Sequence, residues 1–222
     1  MEKISRTMIR QSMIAKSTQN NFMGNVMRRW LFIKDANTPN PHSRKFMPGK
    51  PVMTEGGTMD FSAIKYTHVS PMARQLFGID GVTRVFYGKD FISVSKEEEI
   101  EWECLKPEIL GVITDHYTKG LPLFTEELPP DDTAILSDDT EAVQMIKEII
   151  ETRIRPFVQE DGGDITYLDF EEEQGLVTIE MKGSCAGCPS SAVTLKSGIE
   201  GMLKHYVQEV DRVEAVDYSG KE

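Results

Sequence analysis

Apolar residues recur at spacings of three and four in three segments of the chain, and this periodicity predicts three helices that each bury one face. The first helix contains Pro107, which kinks it or marks its true start. The second is capped by Asp139 or Thr140, and the third begins near Pro189, since proline is favoured at the first helical position. The apolar positions of the three helices are Trp102, Leu105, Ile109, Val112 and Ile113; Val143, Ile146, Ile150, Ile154 and Phe157; and Ala192, Leu195, Ile199, Met202, Leu203 and Tyr206.

Short runs rich in aromatic and β-branched residues, several of them with alternating polarity, predict six strands. They cover residues 30–33, 82–87, 91–95, 165–170, 176–181 and 213–216. Residues 88–90 predict a hairpin loop between the second and third of these strands, and residues 37–41 predict a turn. Ser70 followed by Pro71 predicts a short capped helix that ends near Phe77.

These elements predict an α+β protein with two small α/β-sandwich-like domains joined by an acidic linker. The N-terminal domain covers residues 30–119, the linker 120–139 and the C-terminal domain 140–218, the last with the element order αββαβ. Because the linker is rich in acids and prolines, we expect it to be solvated and to let the two domains move relative to one another.

The first 29 residues differ in composition from the rest of the chain. They carry six Lys or Arg residues against the single acid Glu2, with serines and methionines between them. A basic, serine-containing and acid-poor N-terminus is typical of an organelle transit peptide, and the alternative interpretation is a disordered basic leader.

The whole chain is acidic, and this excludes some classes of function. A net charge of −11 and a pI of about 4.9 argue against nucleic acid as a partner, because phosphate binding depends on basic surfaces. No apolar stretch approaches the roughly 20 residues that a membrane span needs. The chain has three cysteines, and this low and odd number does not suit the disulfide framework of a secreted protein. We therefore expect the protein to work in a reducing compartment.

The most informative motif is a C-x-x-C pair, Cys185 and Cys188, at the start of the third predicted helix. A thiolate zinc site or an iron–sulfur cluster usually takes about four protein ligands, so one chain supplies half a site and a symmetric pair of chains would complete it. The spacing also fits a thioredoxin-type redox pair or two small buried side chains. A helix N-terminus lowers the pKa of a nearby thiol, which favours reactive thiolates here.

Two other features have plainer interpretations. Cys104 falls nearly opposite the apolar stripe of its helix, so we expect an exposed thiol far from the C-x-x-C pair with an incidental role. The run of residues 161–164, with two glycines between aspartates, resembles part of a calcium loop but has too few ligands at the right spacing, so we interpret it as a turn.

Several motifs resemble a known family. RIRP at 153–156, QEDGGD at 159–164, GSCAGCPSS at 183–191 and TLKSGI at 194–199 resemble the C-terminal domain of the Nfu proteins, relatives of NifU. TPNP at 38–41, KFMPGK at 45–50, SPMA at 70–73 and QLF at 75–77 are similar to the N-terminal domain that mitochondrial and some bacterial Nfu proteins carry.

The resemblance implies a carrier rather than an enzyme. It would act as an iron–sulfur cluster scaffold in the mitochondrial matrix and hold a [4Fe-4S] cluster across a homodimer. Upstream cluster assembly proteins would load it, and recipients would include apo-proteins such as lipoyl synthase, respiratory enzymes and aconitase-type proteins. Carried over by position, Cys185 and Cys188 would be the ligands, while Gly183, Ser184 and Gly187 would tune the cluster through backbone contacts to sulfur.

Overall fold

The computed structural model describes residues 32–53, 57–125, 136–187 and 189–216, with the backbone alone described for 189–192. The predicted leader, 1–29, therefore lies outside the described residues, as do Cys188 and residues 126–135 of the predicted linker. The described part mixes helices with two sheets, which confirms the α+β prediction. Within that part, no helix is both long and apolar enough to cross a membrane.

The N-terminal domain is a five-stranded antiparallel sheet covered by helices. Its strands lie in the order β1-β2-β5-β4-β3. The strands are β1 (Lys34–Asn37), β2 (Ser43–Met47), β3 (Met59–Phe61), β4 (Val82–Tyr87) and β5 (Ile92–Lys96), and the helices are a 3-10 turn (Ile64–Val69), α1 (Pro71–Phe77) and α2 (Trp102–Lys119). Leu105, Ile109 and Ile113 of α2 are buried in the core beside the sheet, as their spacing predicts.

The C-terminal domain is a three-stranded sheet packed against helices, in the predicted αββαβ order. Strand β7 lies in the centre, antiparallel to β6 and parallel to β8. Its elements are α3 (Glu141–Ile149), a π-helical turn (Ile150–Ile154), α4 (Arg155–Glu160), β6 (Gly163–Glu171), a 3-10 turn (Glu172–Gln174), β7 (Leu176–Gly183), α5 (Pro189–Tyr206) and β8 (Arg212–Val216). The hydroxyl of Thr140 caps α3 by accepting a hydrogen bond from Val143 N.

Several predicted details are wrong. The first strand begins at Lys34, and Phe32 is 76% exposed. Of the two interpretations of Pro107, the helix start is wrong, because Pro107 lies inside α2, which begins at Trp102. Phe157 is exposed and Val158 is buried instead, because the π turn before them rotates the chain by less per residue than an α-helix and shifts the following residues back around the helix axis. Tyr206, at the last position of α5, is also exposed.

Part of the predicted linker belongs to the N-terminal domain. Leu123 and Phe124 pack against its core, and Thr125 N donates a hydrogen bond to Val69 O at 2.9 Å. Leu123 and Phe124 are therefore partly buried, whereas composition predicts that the linker is solvated.

The Ser70 hydroxyl links the N-terminus of α1 to the sheet. It accepts a hydrogen bond from Ala73 N and lies 3.1 Å from the Tyr87 hydroxyl, with Ser70 fully buried. We expect Ser70→Ala to lower the free energy of unfolding by about 1–2 kcal/mol, because it removes a helix cap and leaves a buried hydroxyl without that partner. Tyr87→Phe keeps the cap and should cost less. Urea unfolding followed by circular dichroism measures both, and equal losses would contradict the capping role.

Candidate metal centre

Cys185 lies in a short loop that we call the cysteine loop, residues 183–187, between the end of β7 and the start of α5. Gly183 and Gly187 have positive φ angles of 62° and 76°, which glycine adopts without strain. Backbone hydrogen bonds from Cys185 N to Lys182 O and from Ala186 N to Gly183 O fold the loop tightly. The sulfur is therefore held at the C-terminal end of the central strand.

A second loop packs directly against the first. This glycine turn, residues 159–163, joins α4 to β6, and the register of the sheet places Gly163 opposite Gly183. Ser184 links the two loops, because its hydroxyl donates to Asp161 O at 2.6 Å and its N–H donates to Gly162 O at 3.3 Å. The two loops consequently form one hydrogen-bonded unit around the thiol.

The double glycine has a spatial role that the turn interpretation missed. A Cβ atom on Gly163 would lie 2.4 Å from Cys185 Sγ and 2.7 Å from Lys182 O, both far inside contact distance. A Cβ on Gly183 would lie 2.7 Å from the ring of Phe86 in the N-terminal domain. Glycine is thus required at 163 for the close approach of the sulfur, a need that no local sequence pattern could reveal.

The Cys185 thiol is buried and borders a cavity. The residue is only 5% exposed. The cavity has a volume of about 590 Å³, lies between the N-terminal loop at Pro39 and the helices α4 and α5, and is lined mainly by apolar side chains such as Phe157, Leu195 and Met202. Space for an inorganic group therefore exists beside the sulfur, and a thiol is a suitable donor for iron or zinc.

The electrostatic environment favours the neutral thiol. Burial raises the pKa of Cys185 to about 12, and the charges of Asp161 and Asp164 add to the rise, while the Ser184 hydroxyl opposes it. The lowered thiol pKa expected from the helix N-terminus is therefore wrong for Cys185 in this conformation.

Residues of the N-terminal domain also reach the site, which the sequence did not indicate. Asn40 Nδ2 donates to Ser184 O at 3.3 Å and to Ala186 O at 3.4 Å, and Gly183 N donates to Asp60 Oδ1 at 3.2 Å. Asn40 lies in a segment whose sequence signals a turn, whereas Asp60 lies in β3, a strand that carries no recognisable pattern. These contacts run against the expectation of two independently moving domains.

The other predicted site residues are placed as follows. Cys188 lies outside the described residues. Cys104 is exposed on α2, as predicted. Within the described ranges, no three His, Cys, Asp or Glu side chains are grouped so that they could hold a metal ion.

The packing of the sulfur on Gly163 predicts a sharp response to substitution. Gly163→Ala should lower the free energy of unfolding of the C-terminal domain by about 2 kcal/mol or more, because backbone and sulfur must move apart to admit a methyl group. The matched control is Gly201→Ala in α5, where a Cβ meets nothing within 4 Å. Gly201→Ala should raise the free energy of unfolding by up to about 1 kcal/mol, because alanine has a higher helix propensity than glycine. Guanidinium unfolding measures both, and a neutral Gly163→Ala would contradict the packing.

The raised pKa predicts how Cys185 reacts with an alkylating reagent. Since only the thiolate reacts, the rate of Cys185 in the apo-protein should rise about tenfold per pH unit from pH 7 to 9 without levelling off. At pH 8 the thiolate fraction at a pKa of about 12 is on the order of 10⁻⁴. Tandem mass spectrometry after timed iodoacetamide treatment gives the rate, with Cys104 as the internal check on the reagent. A plateau below pH 9 would contradict this environment.

Comparison with known proteins places these features in a family. Residues 33–120 match the family described as "Scaffold protein Nfu/NifU N terminal", and residues 146–214 match the "NifU-like domain". The second match contains the glycine turn, the cysteine loop and all of α5.

Individual relatives match over most of the chain. "NifU-like protein 4, mitochondrial" of Arabidopsis thaliana is 54% identical over 87% of this chain and 69% of its own length. "NFU1 iron-sulfur cluster scaffold homolog, mitochondrial" of Drosophila virilis is 52% identical over 87% of this chain and 64% of its own length. The solution structure of a NifU-like protein from Saccharomyces cerevisiae is 24% identical over 44% of this chain and 87% of its own, with a TM-score of 0.38.

Cys185 of the C-x-x-C motif is buried beside two glycine-containing loops, and both family descriptions match the chain. The relatives are 54% and 52% identical over 87% of this chain. The chain therefore belongs to the Nfu/NifU family of iron–sulfur cluster scaffold proteins.

Proposed function

We propose that this protein holds a [4Fe-4S] cluster between two copies of the chain and transfers it to recipient apo-proteins. Cys185 and Cys188 of each copy are the four ligands. The observation that carries the proposal is the C-x-x-C motif at the end of the central strand, which supplies only two thiols per chain. The cluster is cargo, so the protein needs no catalytic residue.

The number of thiols supports the dimer. A four-iron cluster takes about four thiolates, and a two-fold axis through it lets two C-x-x-C pairs complete one coordination set. Cys104 does not contribute a ligand from the same chain in this arrangement, because it is exposed on α2 of the other domain.

Shared ligation also supports release. Each chain contributes only two bonds, so recipient thiolates replace the carrier's cysteines one at a time. Each displaced sulfur then takes up a proton, and the oxidation state of the cluster does not change. The surroundings of Cys185 favour the protonated thiol, so the protein stabilises its own leaving group once the metal bond breaks.

The family supports the wider setting of the proposal. Similar relatives are named as mitochondrial NifU-like proteins or as a mitochondrial iron–sulfur cluster scaffold homolog. The proposal further includes the mitochondrial matrix as the compartment and residues 1–29 as a transit peptide. Upstream assembly proteins load it, and its recipients are enzymes such as lipoyl synthase and respiratory or aconitase-type proteins. No contact with nucleic acid or membrane is part of the proposal.

Substitution of single thiols tests the proposal. After anaerobic reconstitution with iron and sulfide, the wild-type protein should show a broad absorption band at about 400 nm and should elute from a size-exclusion column as a dimer. Cys185→Ser and Cys188→Ser should each abolish both signals, because an alcohol does not replace a thiolate ligand. Cys104→Ser is the matched control and should keep both.

Two other outcomes would each replace the proposal. A colourless protein that holds zinc without sulfide would identify a structural dimer. An apo-monomer that reduces disulfides, with activity lost in Cys185→Ser and Cys188→Ser, would identify a thiol–disulfide oxidoreductase.

A further inference from the structure

The N-terminal domain contacts the cysteine loop through buried polar groups. Asn40 is 3% exposed, and its amide donates to the carbonyls on both sides of Cys185, those of Ser184 and Ala186. The Asp60 carboxylate accepts a hydrogen bond from Gly183 N in the same loop. Donors and acceptors beside the sulfur are therefore already engaged by the other domain.

A second set of contacts holds the glycine turn. Lys45 Nζ donates to Gln159 O at 2.9 Å and to Glu160 O at 3.3 Å. Ser93 Oγ donates to Gly162 O at 2.6 Å. These residues lie on β2 and β5, so the face of the N-terminal sheet contacts both halves of the unit that surrounds the thiol.

The salt bridge at Asp60 fixes this contact in place. Arg84 binds the Asp60 carboxylate at 3.0 Å, with both side chains largely buried. Thr58 adds a hydrogen bond of 2.6 Å to the carboxylate of Asp164. Buried polar groups that are satisfied across an interface make its geometry specific, since separating them requires water to reach every partner.

Docking in this form opposes shared ligation. A second chain has to bring its own thiolates to the same metal group, yet Cys185 is 5% exposed and Pro39 of the N-terminal domain borders the cavity beside it. The docked arrangement thus suits the cluster-free protein.

We propose that the N-terminal domain is a gate over the cysteine loop: docked, it shields Cys185 in the cluster-free chain, and undocked, it admits the partner chain and the cluster. The role of the undocked state, in which the partner chain and the cluster bind, rests on the proposed function. Because coupling between two equilibria is reciprocal, cluster loading must itself favour undocking.

The gate is tested in the full-length apo-protein by the alkylation rate of Cys185 at pH 8. Asn40→Ala removes a contact to the cysteine loop, and Lys45→Ala removes one to the glycine turn without touching the cysteine loop. Each should raise the rate between about three- and tenfold, since each loosens one docking contact and the rate follows the open population. The matched controls Asn37→Ala and Lys34→Ala change exposed residues of β1 and should leave the rate unchanged.

The Lys45→Ala result separates a gate from a local effect. If Asn40→Ala alone accelerates alkylation, the amide only stiffens the cysteine loop and the gate is overturned. Unchanged rates in both variants overturn it as well. Thermal unfolding of each variant shows that both domains remain folded at the assay temperature.

A measurement on the wild-type protein needs no variant. Docking half-buries the Lys45 side chain and hydrogen-bonds its amine to the carbonyls of Gln159 and Glu160, so acylation of Lys45 by an N-hydroxysuccinimide ester should be several-fold faster in the cluster-loaded dimer than in the apo-protein. Equal labelling would overturn the gate. The alkylation rates are measured without a cluster, so they test the gate independently of cluster binding. If the variants accelerate alkylation as expected but the protein never binds a cluster, the proposed function is contradicted and the gate is not.

Discussion

The packing of Cys185 against Gly163 is the constraint on which the rest of the site depends. Antiparallel pairing of β6 with β7 brings Gly163 opposite Gly183, and only a residue without a Cβ lets the sulfur lie where it does. The Ser184 hydrogen bonds to the glycine turn then fix both loops as one unit. The same compact unit is small enough for the N-terminal sheet to cover it.

Under the proposed function, that geometry accounts for both binding and release of a metal group. A thiol in a desolvated, acidic setting is stable when protonated, so it holds a metal group only while the metal bond offsets the cost of the thiolate. Under the proposed function, the two cysteines of the C-x-x-C motif are fewer than a cluster needs, and a second copy of the chain would supply the other half of the coordination. A carrier requires this balance, whereas a permanent metal site would enclose its ligands in one chain.

Helix and strand placement was largely predictable because apolar periodicity reflects burial, as in α2 with Leu105, Ile109 and Ile113. The prediction failed at Phe157 because a π turn shifts the helical phase without a sequence signal. Of the site, Cys185 could be found from its motif. The raised thiol pKa could not, because it depends on burial and on the charges of Asp161 and Asp164 that the fold brings near Cys185. The contacts of Asn40 and Asp60 could not either, because they join residues more than a hundred positions apart in sequence.

The central claim is that two chains share one cluster through four cysteines. Native mass spectrometry of the anaerobically purified wild-type protein, combined with iron and sulfide quantitation, tests it most directly. The account predicts two chains that carry together about four iron and four sulfide ions. A fully loaded monomer, with every ligand from one polypeptide, would contradict it.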